Sequence, residues 1–166
     1  MAKSHSGGTP ATRALEAAGV EFTLRPYTHH DGVTAFGDEV VAELGVEATR
    51  VFKTLVVNTG TKAAPTLAVG VVPVAGQLDL KAMAAALGVK KLALADPNLA
   101  ARSSGYVVGG ISPIAHKTPL PTVIDASAQD FSTIYVSAGK RGAQVELAPA
   151  DLAAVTSGSF APISRA

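Results

Sequence analysis

The chain has 166 residues, of which 48% are hydrophobic and 16% charged, and its formal net charge is +1. This length fits a single domain with a substantial core. The absence of cysteine excludes disulfides, zinc–thiolate sites and a thiol nucleophile supplied by the protein. With so small a basic excess, the chain either binds no nucleic acid or binds a small part of one and relies on a partner for the rest.

The N-terminus indicates neither a leader peptide nor an anchor. Residues 1–8 are polar and glycine-rich, and we expect a flexible tail there, followed by one domain over 9–160. The longest apolar stretch, 67–74, is too short to cross a bilayer. These features predict a cytoplasmic protein that does not contact a membrane.

Local signals predict five helices and eight short strands. Helices begin after the N-cap residues Thr9, Asp79 and Asp96, and glycines end four of them. Alternating or continuous apolar runs predict the strands, and several are joined by tight turns. The predicted helices cover 10–18, 36–44, 80–87, 97–104 and 149–155, and the predicted strands cover 20–24, 51–57, 66–74, 91–95, 106–108, 121–125, 133–137 and 143–147.

The predicted fold class is therefore α+β. Strands joined by tight turns are antiparallel, and no repeat or linker divides the chain. We expect a single domain with a mixed, mostly antiparallel, curved and barrel-like sheet, flanked by short helices.

Lys53 interrupts an otherwise apolar strand. Its strand neighbours are apolar on both faces, so burying an ammonium group there is costly. Two interpretations remain open: the side chain extends to the rim of the core, or it lines a pocket where it could stabilise an oxyanion or bind a phosphate.

The loop GGISP at 109–113 and the turn SAGKRG at 137–142 are further candidates. Paired glycines allow close backbone approach to a ligand, although an ordinary turn is also consistent with them. In the second segment, Ser137 could bind a substrate, and Lys140 or Arg141 a phosphate; a solvated hairpin turn is the alternative.

The sequence lacks the usual catalytic nucleophiles and metal ligands. His29 and His30 are adjacent and point in opposite directions in an extended segment, and no GxSxG motif is present. We therefore expect no metal and no cofactor, and any catalysis must depend on positioning and electrostatics.

Four blocks in order make the chain resemble a known family: VFKTL at 51–55, VPVAGQLD at 72–79, GYVVGGISP at 105–113 and YVSAGKRG at 135–142. They are similar to the YbaK/EbsC-type Cys-tRNA(Pro) deacylases, in the superfamily of the bacterial prolyl-tRNA synthetase editing domain. The resemblance extends from about residue 9 to residue 160.

The resemblance implies a set of site residues. Lys53 and Gly109 are the implied catalytic positions, and the loop from Gly109 to Pro113 would hold the aminoacyl carbonyl and the terminal adenosine. Some members carry an acidic residue at the position of Gln144, so this chain departs from them there. The implied substrate-binding residues are Tyr27, Phe36, Thr54, Gly110, Ser112, Pro113 and Ser137.

The resemblance also implies the reaction and the partners. The substrate would be the aminoacylated 3′ end of tRNA(Pro), and the enzyme would act in trans with prolyl-tRNA synthetase. The cysteinyl thiol would attack its own ester and leave as a thiolactone, which fits the lack of a protein nucleophile. Two alternatives stay open: editing of another small amino acid such as alanine, or a non-catalytic module that binds aminoacyl-tRNA or the synthetase.

Overall fold

The computed structural model describes residues 8–166, so the predicted tail lies outside the described residues except for Gly8. The helices are α1 (Pro10–Ala17), α2 (Phe36–Leu44), α3 (Leu80–Leu87), α4 (Pro97–Ser104) and α5 (Pro149–Thr156), with a short 3-10 helix at Ala126–Asp130. The strands are β1 (Phe22–Pro26), β2 (Phe52–Asn58), β3 (Leu67–Pro73), β4 (Gln77–Leu78), β5 (Ala93–Leu94), β6 (Thr122–Asp125), β7 (Ile134–Lys140), β8 (Ala143–Leu147), β9 (Ser159–Ala161) and β10 (Ser164–Arg165).

The helix boundaries follow from local capping chemistry. The Thr9 hydroxyl accepts a hydrogen bond from the Thr12 N–H, and the Thr12 hydroxyl accepts one from the Thr9 N–H, which forms a capping box before α1. Helices α2, α3 and α4 end at Gly45, Gly88 and Gly105, all in the left-handed region that glycine adopts without strain. None of the helices in residues 8–166 is long and apolar enough to cross a membrane.

The strands form a mixed, mostly antiparallel set, as predicted. A five-stranded sheet has the order β5-β2-β3-β6-β9, in which β3, β6 and β9 run parallel and the other pairs are antiparallel. A three-stranded antiparallel sheet has the order β1-β8-β7, and β4 pairs with β10. The α+β class is confirmed, but the predicted single sheet is divided into three, and within residues 8–166 their pairing does not close a barrel.

Strand β2 divides the two larger sheets. One of its edges pairs with β3 along its whole length, from Phe52 to Asn58. Its other edge meets β5 at Val57 and Asn58, whereas the residue before it, Val51, bridges to Tyr135 of β7. The sheets therefore separate along β2 and leave a gap between the two contacts.

The core fills the space between the sheets and α1. It includes Leu15 from α1, Val71 from β3 and Val145 from β8, all fully buried. Packing continues beyond the predicted boundary at residue 160, because Ile163 is fully buried and Ser164 pairs with Leu78.

One predicted strand is wrong. Residues 106–108 form no strand, because their polar groups are used in loop contacts instead of a ladder. The Tyr106 N–H donates to Ser104 Oγ, and the Val108 carbonyl accepts Arg141 Nε.

Candidate functional site

A cavity of about 400 Å³ opens where the two sheets separate along β2. Six consecutive residues, from Val51 to Val56, line it, although side chains of a strand alternate between faces. This is possible because the cavity runs along the open edge of the strand. The full lining comprises Tyr27, Phe36, Gly37, Val40, Val51, Phe52, Lys53, Thr54, Leu55, Val56, Val74, Leu94, Ala95, Pro97, Ala100, Val108, Gly109, Ile111, Ser137 and Gln144.

Lys53 brings a positive charge into this mostly apolar space. Its half-buried side chain lines the cavity, and it forms no ion pair or hydrogen bond with any residue in 8–166. A cation in an apolar cavity acts on a ligand with little screening by water. Of the two interpretations, the structure fits the second, because Lys53 lines a cavity.

Two buried side-chain oxygens in the same cavity lack partners. Thr54 Oγ1 and Gln144 Oε1 are inaccessible to solvent and make no hydrogen bond within the described chain. Buried polar groups are usually paired with protein or with ordered water, so two unpaired ones on residues that line one cavity mark it as a place where water or a ligand supplies the partner. Gln144 is opposite Ser137 in the β7–β8 ladder, and Ser137 Oγ accepts the N–H of Gly139.

A wall of the cavity is formed by Phe36 and the glycine loop. Gly109 has φ +86°, and a Cβ built there would lie 2.6 Å from Cε1 of Phe36. The guanidinium of Arg141 stacks over the Phe36 ring at 5.0 Å, while its Nε donates to the Val108 carbonyl at 2.8 Å. Arg141 thus connects the β7–β8 turn, the ring and the loop.

The segment between β1 and α2 is held by a buried carboxylate. Glu39 Oε1 lies 2.6 Å from Nδ1 of His29, and Glu39 Oε2 accepts the backbone N–H of His30 at 2.9 Å. These bonds, the His29 contact first, hold the pKa of Glu39 below its ordinary value. In the same segment Tyr27 lines the cavity, and burial raises the pKa of its phenol, which stays neutral at physiological pH.

The structure brings six of the nine predicted site residues together in one cavity: Lys53, Gly109, Tyr27, Phe36, Thr54 and Ser137. The other three do not line it. The Gly110 N–H donates to the Val107 carbonyl, and Ser112 is fully buried with its carbonyl 2.6 Å from His116 Nε2. Pro113 borders a different concave region, beside Leu120 and Thr156.

Sequence reasoning missed the stacking of Arg141 on Phe36 and the apolar wall formed by Val40 and Val74. The apolar stripe of α2 could have indicated Val40, but no local signal places Arg141 on a ring 105 positions earlier in the chain. Groups of three or more His, Asp or Glu suited to a metal ion are absent from residues 8–166. The site combines the Lys53 ammonium group, the Gly109 amide and two unpaired oxygens in a mostly apolar cavity.

Comparisons with known proteins point to aminoacyl-tRNA editing. The sequence profile described as "Aminoacyl-tRNA editing domain" matches residues 30–155. A protein of Enterococcus faecalis with the provisional name Cys-tRNA(Pro)/Cys-tRNA(Cys) deacylase EbsC is 44% identical over 127 residues, which are 76% of each chain.

Solved structures share the fold. The hypothetical protein APE2540 has a TM-score of 0.81 at 26% identity, over 95% of this chain and 100% of that one. A candidate trans-editing enzyme for prolyl-tRNA synthetase has a TM-score of 0.78 at 24% identity, over 98% and 100%. With a profile match over most of its length and a relative at 44% identity, the chain belongs to the aminoacyl-tRNA editing domain family.

Proposed function

We propose that this protein deacylates mischarged aminoacyl-tRNA and that its preferred substrate is Cys-tRNA(Pro). The observation that carries the proposal is the cavity that joins Lys53, the Gly109 loop and the unpaired oxygens of Thr54 and Gln144. The name of the Enterococcus relative supports cysteine as the amino acid that is removed.

The reaction we propose uses the thiol of the substrate. The cysteinyl sulfur attacks the carbonyl carbon of its own ester, the bond from that carbon to the ribose oxygen breaks, and the thiol proton goes to that oxygen. The products are tRNA with a free hydroxyl and a cysteine thiolactone, which water then opens to cysteine. Correct alignment alone can lower such a barrier by about 7–11 kcal/mol.

The residues of the chain position the ester and stabilise its charge. Lys53 faces the oxyanion that forms on the carbonyl. The N–H of Gly110 is used by Val107, which leaves the N–H of Gly109 as the amide of this pair that can join Lys53. Gly110, Ser112 and Pro113 support the shape of the loop; Ser112 Oγ, for example, accepts the Ile114 N–H.

The proposal includes prolyl-tRNA synthetase as a partner and the cytoplasm as the place of action. A net charge of +1 supplies little attraction for the many phosphates of a tRNA. A synthetase that holds the body of the tRNA would leave only the aminoacylated 3′ end to this chain.

The test is a panel of tRNA(Pro) charged with cysteine, serine or alanine, each incubated with the protein in the presence and absence of prolyl-tRNA synthetase. We expect rapid release of cysteine and little release of serine, because a hydroxyl is a poorer nucleophile while size alone separates near-isosteres weakly. A thiol trap should capture the thiolactone.

The same panel distinguishes this proposal from the alternative functions. Similar rates for cysteine and serine would contradict attack by the substrate thiol and favour attack by water. Preferential release of alanine would assign a different specificity. Protection of the ester without any release would identify a binding module.

A further inference from the structure

The loop that carries Gly109 is closed at its base but has no strand ladder to shape it. The N–H of Lys117 donates to the carbonyl of Ser104 at 2.8 Å, and the N–H of Thr118 donates to the carbonyl of Ser103 at 3.0 Å. The residues between these contacts, 105–116, form neither helix nor strand. A loop whose ends meet in this way takes its shape from the packing of its own side chains.

Two aromatic rings, one near each end of the loop, supply that shape. The Tyr106 hydroxyl donates to the carbonyl of Ile114, and Nε2 of His116 donates to the carbonyl of Ser112, each at 2.6 Å. The ring centroids are 6.1 Å apart with an interplanar angle of 73°, which is an edge-to-face contact. Ser112 and Ile114 are fully buried, so bulk water has no access to these two carbonyls. We name Tyr106 and His116 the ring clamp.

Both rings keep the protons that they donate at neutral pH. A carbonyl oxygen can only accept, so Nε2 of His116 carries the hydrogen. Burial lowers the pKa of His116, which therefore stays neutral, and burial raises the pKa of Tyr106 to about 12. The other ring nitrogen of His116, Nδ1, is buried without a partner among residues 8–166. His116 therefore acts on the loop as a hydrogen-bond donor.

The residue between the two clamped positions has a strained backbone. Ala115 has φ +58°, in the left-handed region that residues other than glycine rarely adopt. It joins Ile114, whose carbonyl Tyr106 binds, to His116 itself. Backbone strain of this kind persists only where the surrounding contacts over-determine the conformation, and it is concentrated at functional sites. The ring clamp supplies such contacts on both sides of Ala115.

The ring clamp lies behind the loop and not in the cavity. His116 borders the second concave region together with Pro113. Neither Tyr106 nor His116 belongs to the lining of the cavity, whereas Gly109 does. The two rings therefore do not touch a substrate in the cavity, and any effect on that substrate passes through the loop.

We propose that Tyr106 and His116 are positioning residues for deacylation: they fix residues 112–114 and thereby hold the Gly109 N–H towards the carbonyl of the ester. This inference rests on the proposed function. A misplacement of about 1 Å at a reacting group can slow a reaction about 10²-fold, so a loop that contributes one amide to the oxyanion depends on being held rigidly.

The activity test compares variants that each remove one donor. His116→Phe and Tyr106→Phe keep an aromatic ring but lose the hydrogen bond to the loop, whereas His116→Gln keeps an N–H that can reach the same carbonyl. Thr133→Val, which removes a hydroxyl bonded to Glu146 at 2.6 Å, is the control for a general loss of stability. Single-turnover cleavage of Cys-tRNA(Pro) at several protein concentrations separates the rate of the chemical step from the affinity.

We expect His116→Phe and Tyr106→Phe to slow the chemical step about 10- to 100-fold with little change in affinity, because the displaced amide acts only in the transition state. His116→Gln should restore a rate close to that of the unsubstituted protein, and Thr133→Val should not slow the step. Because both rings hold one loop, the combined effect of the two phenylalanine substitutions should be smaller than the product of the single effects.

Amide hydrogen exchange of the protein without substrate tests the ring clamp separately from activity. The Gly110 N–H donates to the Val107 carbonyl at 2.9 Å and reports the order of the loop. His116→Phe and Tyr106→Phe should accelerate exchange of this amide, because local opening becomes easier, and His116→Gln should not.

Unchanged cleavage rates, a loss of affinity instead of rate, or an equal slowing by Thr133→Val would each overturn the inference. So would a His116→Gln variant as slow as His116→Phe, fully multiplicative effects in the double variant, or unchanged exchange at Gly110. Failure of the proposed function looks different: the faster exchange would persist in the variants while the unsubstituted protein cleaved no cysteinyl ester.

Discussion

The cavity and the Arg50 network, which consists of Arg25, Arg50, Thr133 and Glu146, share strand β8 but differ in how their polar groups are paired. In the network, the Thr133 hydroxyl donates to Glu146 at 2.6 Å and accepts from Arg50 at 2.7 Å. Arg25 Nη2 lies 2.6 Å from the other carboxylate oxygen of Glu146, and the Arg50 guanidinium stacks over the ring of Tyr135. In the cavity, Lys53, Thr54 Oγ1 and Gln144 Oε1 have no partner among the described residues.

The difference separates groups that stabilise the fold from unpaired groups at the cavity where we propose that the substrate binds. Polar groups that pair with one another favour the folded state, whereas buried unpaired groups disfavour it. Changes in the Arg50 network should therefore lower stability, and changes to the unpaired polar groups of the cavity should lower activity while stability stays or rises.

The largest effect is expected for Lys53→Ala. Loss of an electrostatic stabiliser of the transition state typically slows the chemical step by about 10²–10³-fold. Stability should not fall, because no partner of the ammonium is left unpaired. Single-turnover deacylation of Cys-tRNA(Pro) measures the rate, and Lys62→Ala, an exposed lysine in the β2–β3 turn, is the control. Near-normal turnover would contradict the assignment of Lys53.

Gly109→Ala should impair activity next most strongly. The added methyl group would overlap the Phe36 ring, and the positive φ adds about 1–2 kcal/mol of backbone strain. Gly19→Ala is a matched control, because Gly19 has φ +68° with nothing within 4 Å of an added Cβ. Both variants should lose stability in urea, and Gly109→Ala alone should lose deacylation. Equal activity of the two would show that the wall is dispensable.

Thr133→Val tests the Arg50 network. The substitution removes the hydroxyl between Arg50 and Glu146 and should cost about 1–3 kcal/mol in the free energy of unfolding. Thr23→Val, at an exposed position of β1, controls for the exchange of side chain. Urea titration measures stability, and deacylation should stay near normal. A large loss of activity with little loss of stability would break the distinction between the two regions.

Acid should remove the stability that the paired carboxylates of Glu146 and Glu39 contribute. Burial opposes ionisation of Glu146, but hydrogen bonds from Thr133 and Arg25 outweigh it and keep its pKa below the ordinary 4.5, and the pKa of Glu39 is also lowered. A lowered folded-state pKa contributes stability above about pH 4.5, and this is lost as the pH falls through the lowered value. Urea titrations from pH 7 to pH 3 should show this loss, and Glu146→Gln and Glu39→Gln should each reduce it. If neither substitution changes how the free energy of unfolding varies with pH, these two carboxylates do not have lowered pKa values in the folded state.

The smallest change in stability is expected for Thr54→Val. Its hydroxyl is buried without a partner, so removing it should leave the free energy of unfolding unchanged or raise it by less than about 1 kcal/mol. KM for Cys-tRNA(Pro) should rise if the substrate pairs with that hydroxyl. Thr122→Val is the contrast, since the Thr122 hydroxyl donates to the Leu120 carbonyl and its loss should destabilise. Destabilisation by both would mean that Thr54 is paired by water instead of a ligand.

Local sequence was sufficient to predict the elements whose formation depends on residues adjacent in the chain. The predicted helix from Phe36 to Leu44 has those bounds in the structure, because the glycine that ends it, Gly45, is a signal contained in the local sequence. The β2–β3 hairpin also appears where two apolar runs are separated by a turn. Strands β4, β9 and β10 were missed, because segments of two or three residues become strands only through partners distant in sequence.

The sequence by itself determined the α+β class, the helices with their caps, and the residue types of the site, because capping, periodicity and motif order are written in consecutive residues. Only the tertiary structure decided whether Lys53 reaches the rim or a cavity, since that depends on β2 pairing with β5 at one end and bridging to β7 at the other. It also excluded Ser112 from the cavity lining and turned residues 106–108 into a loop, through contacts such as Arg141 with Val108. Such contacts join residues far apart in the chain, and no local pattern specifies them.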